Sequence, residues 1–413
     1  MKVEPEELVH FDLVVVGGGA AGFFGAIAAA EMKPGLSILI LEKTTKLLSK
    51  VRVSGGGRCN VTHHCFEATS LSKHFPRGSK ELKLLFRKFQ AKDVVEWFES
   101  KNVKLKTEED GRMFPVTNNS QTIIDCFLNE TERHQIKIKL HAEVKKITPN
   151  ENDFILELNT EKIIARKVLI ATGGYNNLQS YEWLKPFPVI NPIPSLFTFN
   201  DSGNKFKDLM GVSVAQAEVK IAGSKFSETG PVLITHWGLS GPAVIRLSAW
   251  AAEYLHEKKY EFTALVNWTG SITEEGLRKD LQEINVNHGK QKIVNNPLYK
   301  IPSRLWLRLC SLAEIEETKT WAELPRKNIN RLIEFMIRCP FEIKGKTSFK
   351  EEFVSCGGVD LKSVELETME SKQVKGIYFA GEVLNIDGET GGFNFQSAWT
   401  TAYVAAKSIS ESL

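Results

Sequence analysis

The stretch VVVGGGAAGFFGA, residues 14–26, limits the folds open to this chain more than any other. A β-branched run ends in a glycine triplet and passes at once into small apolar residues, so strand, turn and helix follow with no linker. Gly17, Gly19 and Gly22 stand in G-x-G-x-x-G spacing. In that setting the glycines permit a tight turn and let backbone N–H groups approach a pyrophosphate, which the positive end of the helix also attracts. Glu42 closes the next apolar strand, LSILILE, twenty residues beyond Gly22, where a carboxylate can accept a ribose hydroxyl. A packing turn would account for the glycines alone, but not for the placed carboxylate. The pattern predicts a Rossmann-like α/β start and a bound dinucleotide.

Residues 11–30, FDLVVVGGGAAGFFGAIAAA, imitate a membrane span. Asp12 and the triplet Gly17-Gly18-Gly19 argue against a spanning helix, and Glu4, Glu6 and Glu7 stand where a signal peptide would be basic. No membrane partner is expected. Lys+Arg 53 against Asp+Glu 50 leaves a formal charge of +3 with no long block of one sign, so no nucleic-acid partner is expected either. Six cysteines without a CxxC pair read as reduced thiols, which suits a cytoplasmic protein. Nothing in the sequence specifies an oligomeric state.

Further along, residues 43–62 read as a Ser-, Gly- and Lys-rich loop apart from any short helical turn. Helical patterns follow near 80–89, 91–100 and 120–134. IKIKLHAEVKKI, FILELN and KIIA alternate as strands do and are separated by PNEND and NTE, which predicts a β-meander over 136–165. VLIATGG (168–174) is a further buried strand. Pro186, Pro188, Pro192 and Pro194 mark a crossing into a second domain; 195–269 then reads mostly as strands and 271–337 as helices. GIYFAGE (376–382) and a closing helix end the chain. A meander followed by VLIATGG favours FAD over NAD, because that element order resembles two-domain flavoproteins of the glutathione-reductase type. No second G-x-G-x-x-G follows a strand, so a nicotinamide, NAD(P)H, would act as a transient reductant.

VVVGGGAAG, KVRVSGGGRCNVT, GRMFP, VLIATGG, THWGLSGPA and TMESKQVKGIYFAGEVLNIDGETGGFNFQSAWT together resemble the BaiN/YhiN-like flavoproteins nearly end to end. That family is known as NAD(P)/FAD-dependent oxidoreductases of the two-dinucleotide-binding-domain superfamily. Two places depart from its pattern, YNNLQSYEWLKP after ATGG and FVSCGGV near the C-terminus, and both are candidates for the substrate side. The resemblance implies an α/β FAD-binding domain of the glutathione-reductase type from residues 1–190 and 350–413. It implies an inserted β-barrel-like domain over 191–270 and 338–349, and a small helical domain over 271–337. The strand and helix order read from the residues runs the same way.

The implied cofactor site takes in Gly17, Gly19, Ala20, Ala21 and Gly22, then Glu42, Lys43 and Lys50. It includes Ser54, Gly55, Gly56, Arg58, Cys59 and Asn60 of the glycine loop, and Val144 of the meander. Ala171, Thr172, Gly173 and Gly174 follow, and the C-terminal run supplies Gly381, Glu382, Asp387, Gly391, Gly392, Phe393 and Asn394. The bare backbone of Gly55-Gly56-Gly57 would press on the flavin or pyrophosphate. Arg58 would offset anionic charge, and Asn394, at the positive end of the closing helix, would face the flavin edge that becomes negative on reduction. With His236 of THWGLSGPA as a candidate acid or base, these three are the catalytic candidates.

The expected activity is hydride transfer between a small organic substrate, or NAD(P)H, and FAD. Two rivals stand beside it: a dithiol–disulfide reductase using Cys59 and Cys65, and a non-catalytic flavin-bearing redox sensor. No metal is expected, since Cys59, His63, His64 and Cys65 are not spaced as a closed zinc site.

Overall fold

The computed structural model describes residues 9–203, 205–347 and 354–413. The chain divides into two compact units, Met1–Ser195 with Lys350–Leu413, and Leu196–Phe349.

The first unit is built on a nine-stranded sheet. Strand β1 (Val9–Val16) lies at its centre, helix α1 (Ala20–Met32) follows the glycine turn, and strand β2 (Ile38–Leu41) pairs parallel to β1. On the other side of β1 runs the long strand Lys162–Ile170, also parallel. Its last three residues pair with Ile377–Phe379, while its first half carries the hairpin Lys146–Asn150/Asp153–Glu157. The registers align the strand ends: Val16 pairs with Leu41 and with Ile170, and Ile170 pairs with Phe379. The turns after all four strands therefore leave from one carboxyl edge, which is where open α/β sheets bind ligands.

Helix α1 has an apolar residue or glycine at nearly every position, and Ala21 through Ala30 are all buried. Such a helix must be covered on all sides. The sheet covers one face and the closing helix Phe393–Ser412 another: a Cβ built on Gly25 would lie 2.6 Å from Leu169 Cδ2 and 3.6 Å from Ala402 Cβ. Trp399, fully buried, packs on Phe24 and Phe127 and donates its indole N–H to the Val61 carbonyl at 3.0 Å. That bond ties the closing helix to the loop that follows the second glycine triplet.

The second unit is a closed antiparallel barrel of six strands: Thr198–Asp201, Gly238–Ser240, Ser227–Ile234, Ser213–Ile221, Glu261–Asn267 and Cys339–Thr347, which returns to the first. Helices Glu274–His288, Ser303–Leu312 and Arg326–Ile337 fall between the last two strands.

Three expectations are corrected. The alternation in IKIKLHAEVKKI is not one arm of a meander, because Lys137–Lys139 joins the parallel edge beside β2 and the hairpin begins only at Lys146. Residues 242–257, read as part of a strand-rich stretch, form helices Pro242–Trp250 and Ala252–Glu257, opened by a proline at the first helical position. The segment 43–62 holds the helix Ser49–Gly57, whose regular backbone breaks at Ser54. Residues 11–30 divide into strand, turn and helix, and no helix among the described residues is long and apolar enough to cross a membrane.

Candidate functional site

The first glycine turn sits at the carboxyl edge of the sheet, and its glycines are constrained differently. Gly17 has φ +119°, and a Cβ there would lie 2.3 Å from the Ala171 carbonyl oxygen. A Cβ on Gly22 would lie 2.0 Å from the Gly17 oxygen. Gly19 has an ordinary extended backbone, φ −98° and ψ −171°, and nothing lies within 4 Å of its added Cβ. The fold has no need of glycine at position 19; a ligand approaching the backbone does. Helix α1 has no side-chain cap and no acidic residue in its first turn, so its positive end faces that opening.

Glu42 is locked in place. Its Oε2 accepts the Gly18 N–H at 3.0 Å, and Oε1 accepts from the Thr44 N–H and hydroxyl at 2.9 and 2.8 Å. A carboxylate has about four lone-pair positions, so capacity for a ribose hydroxyl remains. Lys43 is exposed, 5.4 Å from the Tyr175 ring centre. Val144 is buried, two residues after Ala142, whose N–H reaches the Glu42 carbonyl.

The second glycine loop answers to its own backbone. Gly55, Gly56 and Gly57 have φ of +58°, +69° and +83°, a left-handed run that favours glycine. A side chain on Gly55 would strike Phe114, whereas nothing lies within 4 Å of a Cβ on Gly56 or Gly57. Ser54 Oγ donates to the Val51 carbonyl. Arg58 stacks on Phe114 at 4.0 Å and pairs with Glu108 at 2.6 Å, so its charge is already countered within the protein. Cys59 is completely buried and burial pushes its thiol up to about 12. Asn60 is buried, and its Oδ1 has no hydrogen-bond partner among the described residues.

Ala171, Thr172, Gly173 and Gly174 leave the same sheet edge, with open space beside Gly173. A Cβ on Gly174 would lie 2.5 Å from Ser355 Oγ and 3.4 Å from Glu382 Cγ. Gly381 packs against Ala21, its added Cβ 2.8 Å from that of the alanine, and donates its N–H to Thr401. Glu382 pairs with Lys50 through Oε2 at 2.5 Å, while its buried Oε1 has no partner among the described residues. Gly392, at φ +92°, would bring a Cβ within 2.6 Å of the Thr62 carbonyl and 2.9 Å of Asn60 Oδ1. The structure thus gathers the first turn, Glu42, Lys50, the ATGG end and Gly381–Glu382 at one edge. It joins the second glycine loop to Gly391–Gly392.

Several residues have other work than expected. Asp387 is fully buried, bridged by the Arg77 guanidinium and by the Ser195 hydroxyl at 2.8 Å; burial raises its pKa, and Arg77 opposes that shift. Asn394 does not face outward: its Oδ1 accepts the Gly388 N–H at 2.8 Å and its amide donates to the Gly388 carbonyl at 2.9 Å. It clamps the loop. Phe393 is buried, with its ring against both His63 and His74, which also contact each other. His236 belongs to the second unit, exposed on the turn between two barrel strands with its ring 3.8 Å from Trp237. Of the two cysteines in the dithiol reading, Cys65 is also raised by burial, and both thiols are free. Such thiols are poor nucleophiles.

Sequence reasoning missed Ser355, buried with an unpartnered Oγ among the described residues. Its signal was the departure FVSCGGV, read as a substrate-side change without naming the serine. Leaving a buried polar group unpaired costs about 1–3 kcal/mol, so Asn60 Oδ1, Glu382 Oε1 and Ser355 Oγ mark where a ligand would supply partners. With the open faces of Gly19, Gly56 and Gly173, these atoms fit a dinucleotide lying along the sheet edge.

A parallel sheet with this turn at its carboxyl edge, and a barrel inserted in the chain, defines a Rossmann-like FAD-binding fold. The chain belongs to the family described as HI0933-like protein Rossmann domain, whose model matches residues 11–408, in line with the resemblance carried by its motifs. It is 28% identical over 411 residues to the ribosomal RNA dihydrouridine synthase of Haemophilus influenzae, covering 96% of this chain and 98% of that one. It is 25% identical over 410 residues to the 3-dehydro-bile acid delta(4,6)-reductase of Clostridium scindens, with 96% and 98% covered. Among solved structures, the 3-ketosteroid delta1-dehydrogenase of Sterolibacterium denitrificans shares the fold at TM-score 0.51 and 12% identity, covering 98% of this chain and 100% of that one.

Proposed function

We propose that this protein is an FAD-dependent reductase that saturates a carbon–carbon double bond conjugated to a carbonyl, with reduced nicotinamide as a transient electron donor. The observation that carries the cofactor is Gly19: its backbone suits any residue, yet its side faces open space at the uncapped start of α1. Support for the substrate class comes from the relatives' names. Making dihydrouridine saturates a uracil double bond conjugated to a ring carbonyl, and a delta(4,6)-reductase acting on a 3-dehydro-bile acid saturates a ring double bond conjugated to a ketone.

When bound, FAD supplies the hydride. The N–H groups opening α1 would hold the pyrophosphate, and Glu42 the adenosine ribose. Asn60 Oδ1 and Glu382 Oε1 would accept from donors on the ligand, and Ser355 could donate or accept. Lys50 and Arg77 hold Glu382 and Asp387 in position. The expectation of no nucleic-acid partner rested on a charge of +3 without a basic block. A relative named for ribosomal RNA makes RNA one arm of the test.

The test is to purify the protein, release its cofactor with acid, and assay anaerobic bleaching by NADH and NADPH. Turnover is then assayed with a 3-keto-4,6-diene steroid and with ribosomal RNA lacking dihydrouridine. FAD in the supernatant and reduction of one probe are expected. A protein that carries no FAD overturns the cofactor reading; one that carries FAD but reduces neither probe overturns the substrate class alone.

A further inference from the structure

His74 and Glu389 are brought together from positions 315 residues apart. The His74 Nδ1 lies 2.5 Å from a Glu389 carboxylate oxygen, and the Glu389 backbone N–H donates to the His74 carbonyl at 3.0 Å. The segments are therefore fastened twice, by main chain and by side chain. The His74 ring stacks on Phe393 with centroids 4.2 Å apart and planes 8° from parallel, which fixes its orientation. Carboxylate contact at Nδ1 selects the tautomer with hydrogen there and leaves Nε2 as the working atom. The side chain is 34% exposed, and no described residue holds Nε2.

This pair stands at the candidate flavin site. Glu389 and Phe393 belong to the loop that Asn394 clamps, and that loop carries Gly391 and Gly392. Gly392 abuts the unpartnered Asn60 Oδ1. His63 also lies against Phe393, 4.7 Å away, and 6.0 Å from the His74 ring, with Nε2 facing the Asp110 carbonyl at 3.0 Å and Nδ1 buried. Burial lowers the pKa of His63, and its Nε2 is already engaged by the Asp110 carbonyl, so it is not placed to deliver a proton.

We infer that His74, oriented by Glu389, is the general acid that delivers a proton from Nε2 to the substrate. This rests on the reductase reading above. Saturating a conjugated double bond adds a hydride to the carbon remote from the carbonyl and a proton to the carbon beside it. Bound FAD, kept reduced by the nicotinamide as two-electron donor, would supply that hydride. To act, the ring first takes a second proton from water at its exposed edge, so that both nitrogens carry hydrogen; the Nε2–H bond then breaks as the new C–H bond forms, and the ring returns to the neutral Nδ1–H form held by Glu389. A positioned acid of this kind contributes about 10²–10⁴-fold to rate. His74 is thus the catalytic residue and Glu389 the positioning residue.

The experiment uses full-length protein carrying ¹⁵N-labelled histidine, with and without FAD. The His74 ring should show the Nδ1–H tautomer, should lose that preference in Glu389→Ala, and should shift on FAD loading. In the loaded enzyme His74→Ala should retain FAD and be reduced at the wild-type rate. It should turn over the probe that wild type accepts at least about 100-fold more slowly, with partial rescue by added imidazole. A His74 resonance indifferent to FAD, or a His74→Ala enzyme turning over at the wild-type rate, overturns the assignment. If wild type reduces neither probe, the reductase reading falls, and the FAD-induced shift alone decides whether the dyad lies at the cofactor.

Discussion

Gly17, Gly19 and Gly22 share one motif and meet different surroundings. Gly22 would drive a Cβ to 2.0 Å from a backbone oxygen, so Gly22→Ala should fail to fold or yield little soluble protein. Gly19→Val meets open space on a backbone that tolerates it. It should keep the wild-type urea midpoint and lose its FAD, measured as flavin released per chain. A Gly19→Val protein with full FAD would place the pyrophosphate elsewhere. The spacing of the motif was legible in the sequence; which of its glycines the fold itself requires was not, because Gly17 is fixed by the Ala171 carbonyl and Gly22 by the Gly17 carbonyl. Cysteine reactivity is a second residue-scale matter. Cys59 looked like a redox candidate by its position, but it is fully buried with its thiol pushed up to about 12. Cys65 is partly exposed, and among the native cysteines it should be the first to label with a neutral disulfide reagent at pH 8, with Cys59 protected until unfolding. Peptide mapping after timed labelling would show the order.

At the scale of elements, strong local signals survived and tertiary partners did not. LVVV, LSILILE and GIYFAGE became parallel strands as their β-branched and apolar runs predict. Lys137–Lys139 alternates like a hairpin arm, yet its neighbour is β2, a partner that no local pattern names. GETGGFNFQ was legible as a helix start because paired glycines precede a long amphipathic run. That Asn394 clamps Gly388 was not, since only the folded loop brings the two together. Asn394→Asp keeps the bond from the Gly388 N–H but sets a carboxylate against the Gly388 carbonyl. It should lower stability by about 1–3 kcal/mol in urea unfolding. An unchanged midpoint would remove the clamp. Trp399→Phe keeps the ring packing and leaves the Val61 carbonyl without its indole donor, for a loss of similar size.

Across the whole molecule, the expectation of a first domain built from both chain ends came from the family resemblance rather than from any local pattern. The division between barrel strands and helices was blurred at 242–257, where PAVIRLSAW is apolar enough to read either way. Both units bury thiols: burial raises Cys59 and Cys126 in the first, and Cys310 and Cys339 in the second, from 9.0 to about 12. A raised folded-state pKa means that the unfolded chain loses its proton first. The stabilising contribution is complete below pH 9 and falls as the pH rises toward 12, by an order of a few kcal/mol for each thiol. The urea midpoint should therefore drop steadily from pH 9 upward, and less so when Cys126→Ala and Cys310→Ala are combined. The central proposal is that electrons pass from a flavin at the sheet edge to a conjugated double bond, and a single turnover reads that step directly. Protein bleached by one equivalent of reductant is mixed, without oxygen, with the 3-keto-4,6-diene or with unmodified ribosomal RNA. The yellow absorbance should return as one equivalent of saturated product forms. Flavin that stays bleached with both probes and recovers its colour only when air is admitted would contradict it.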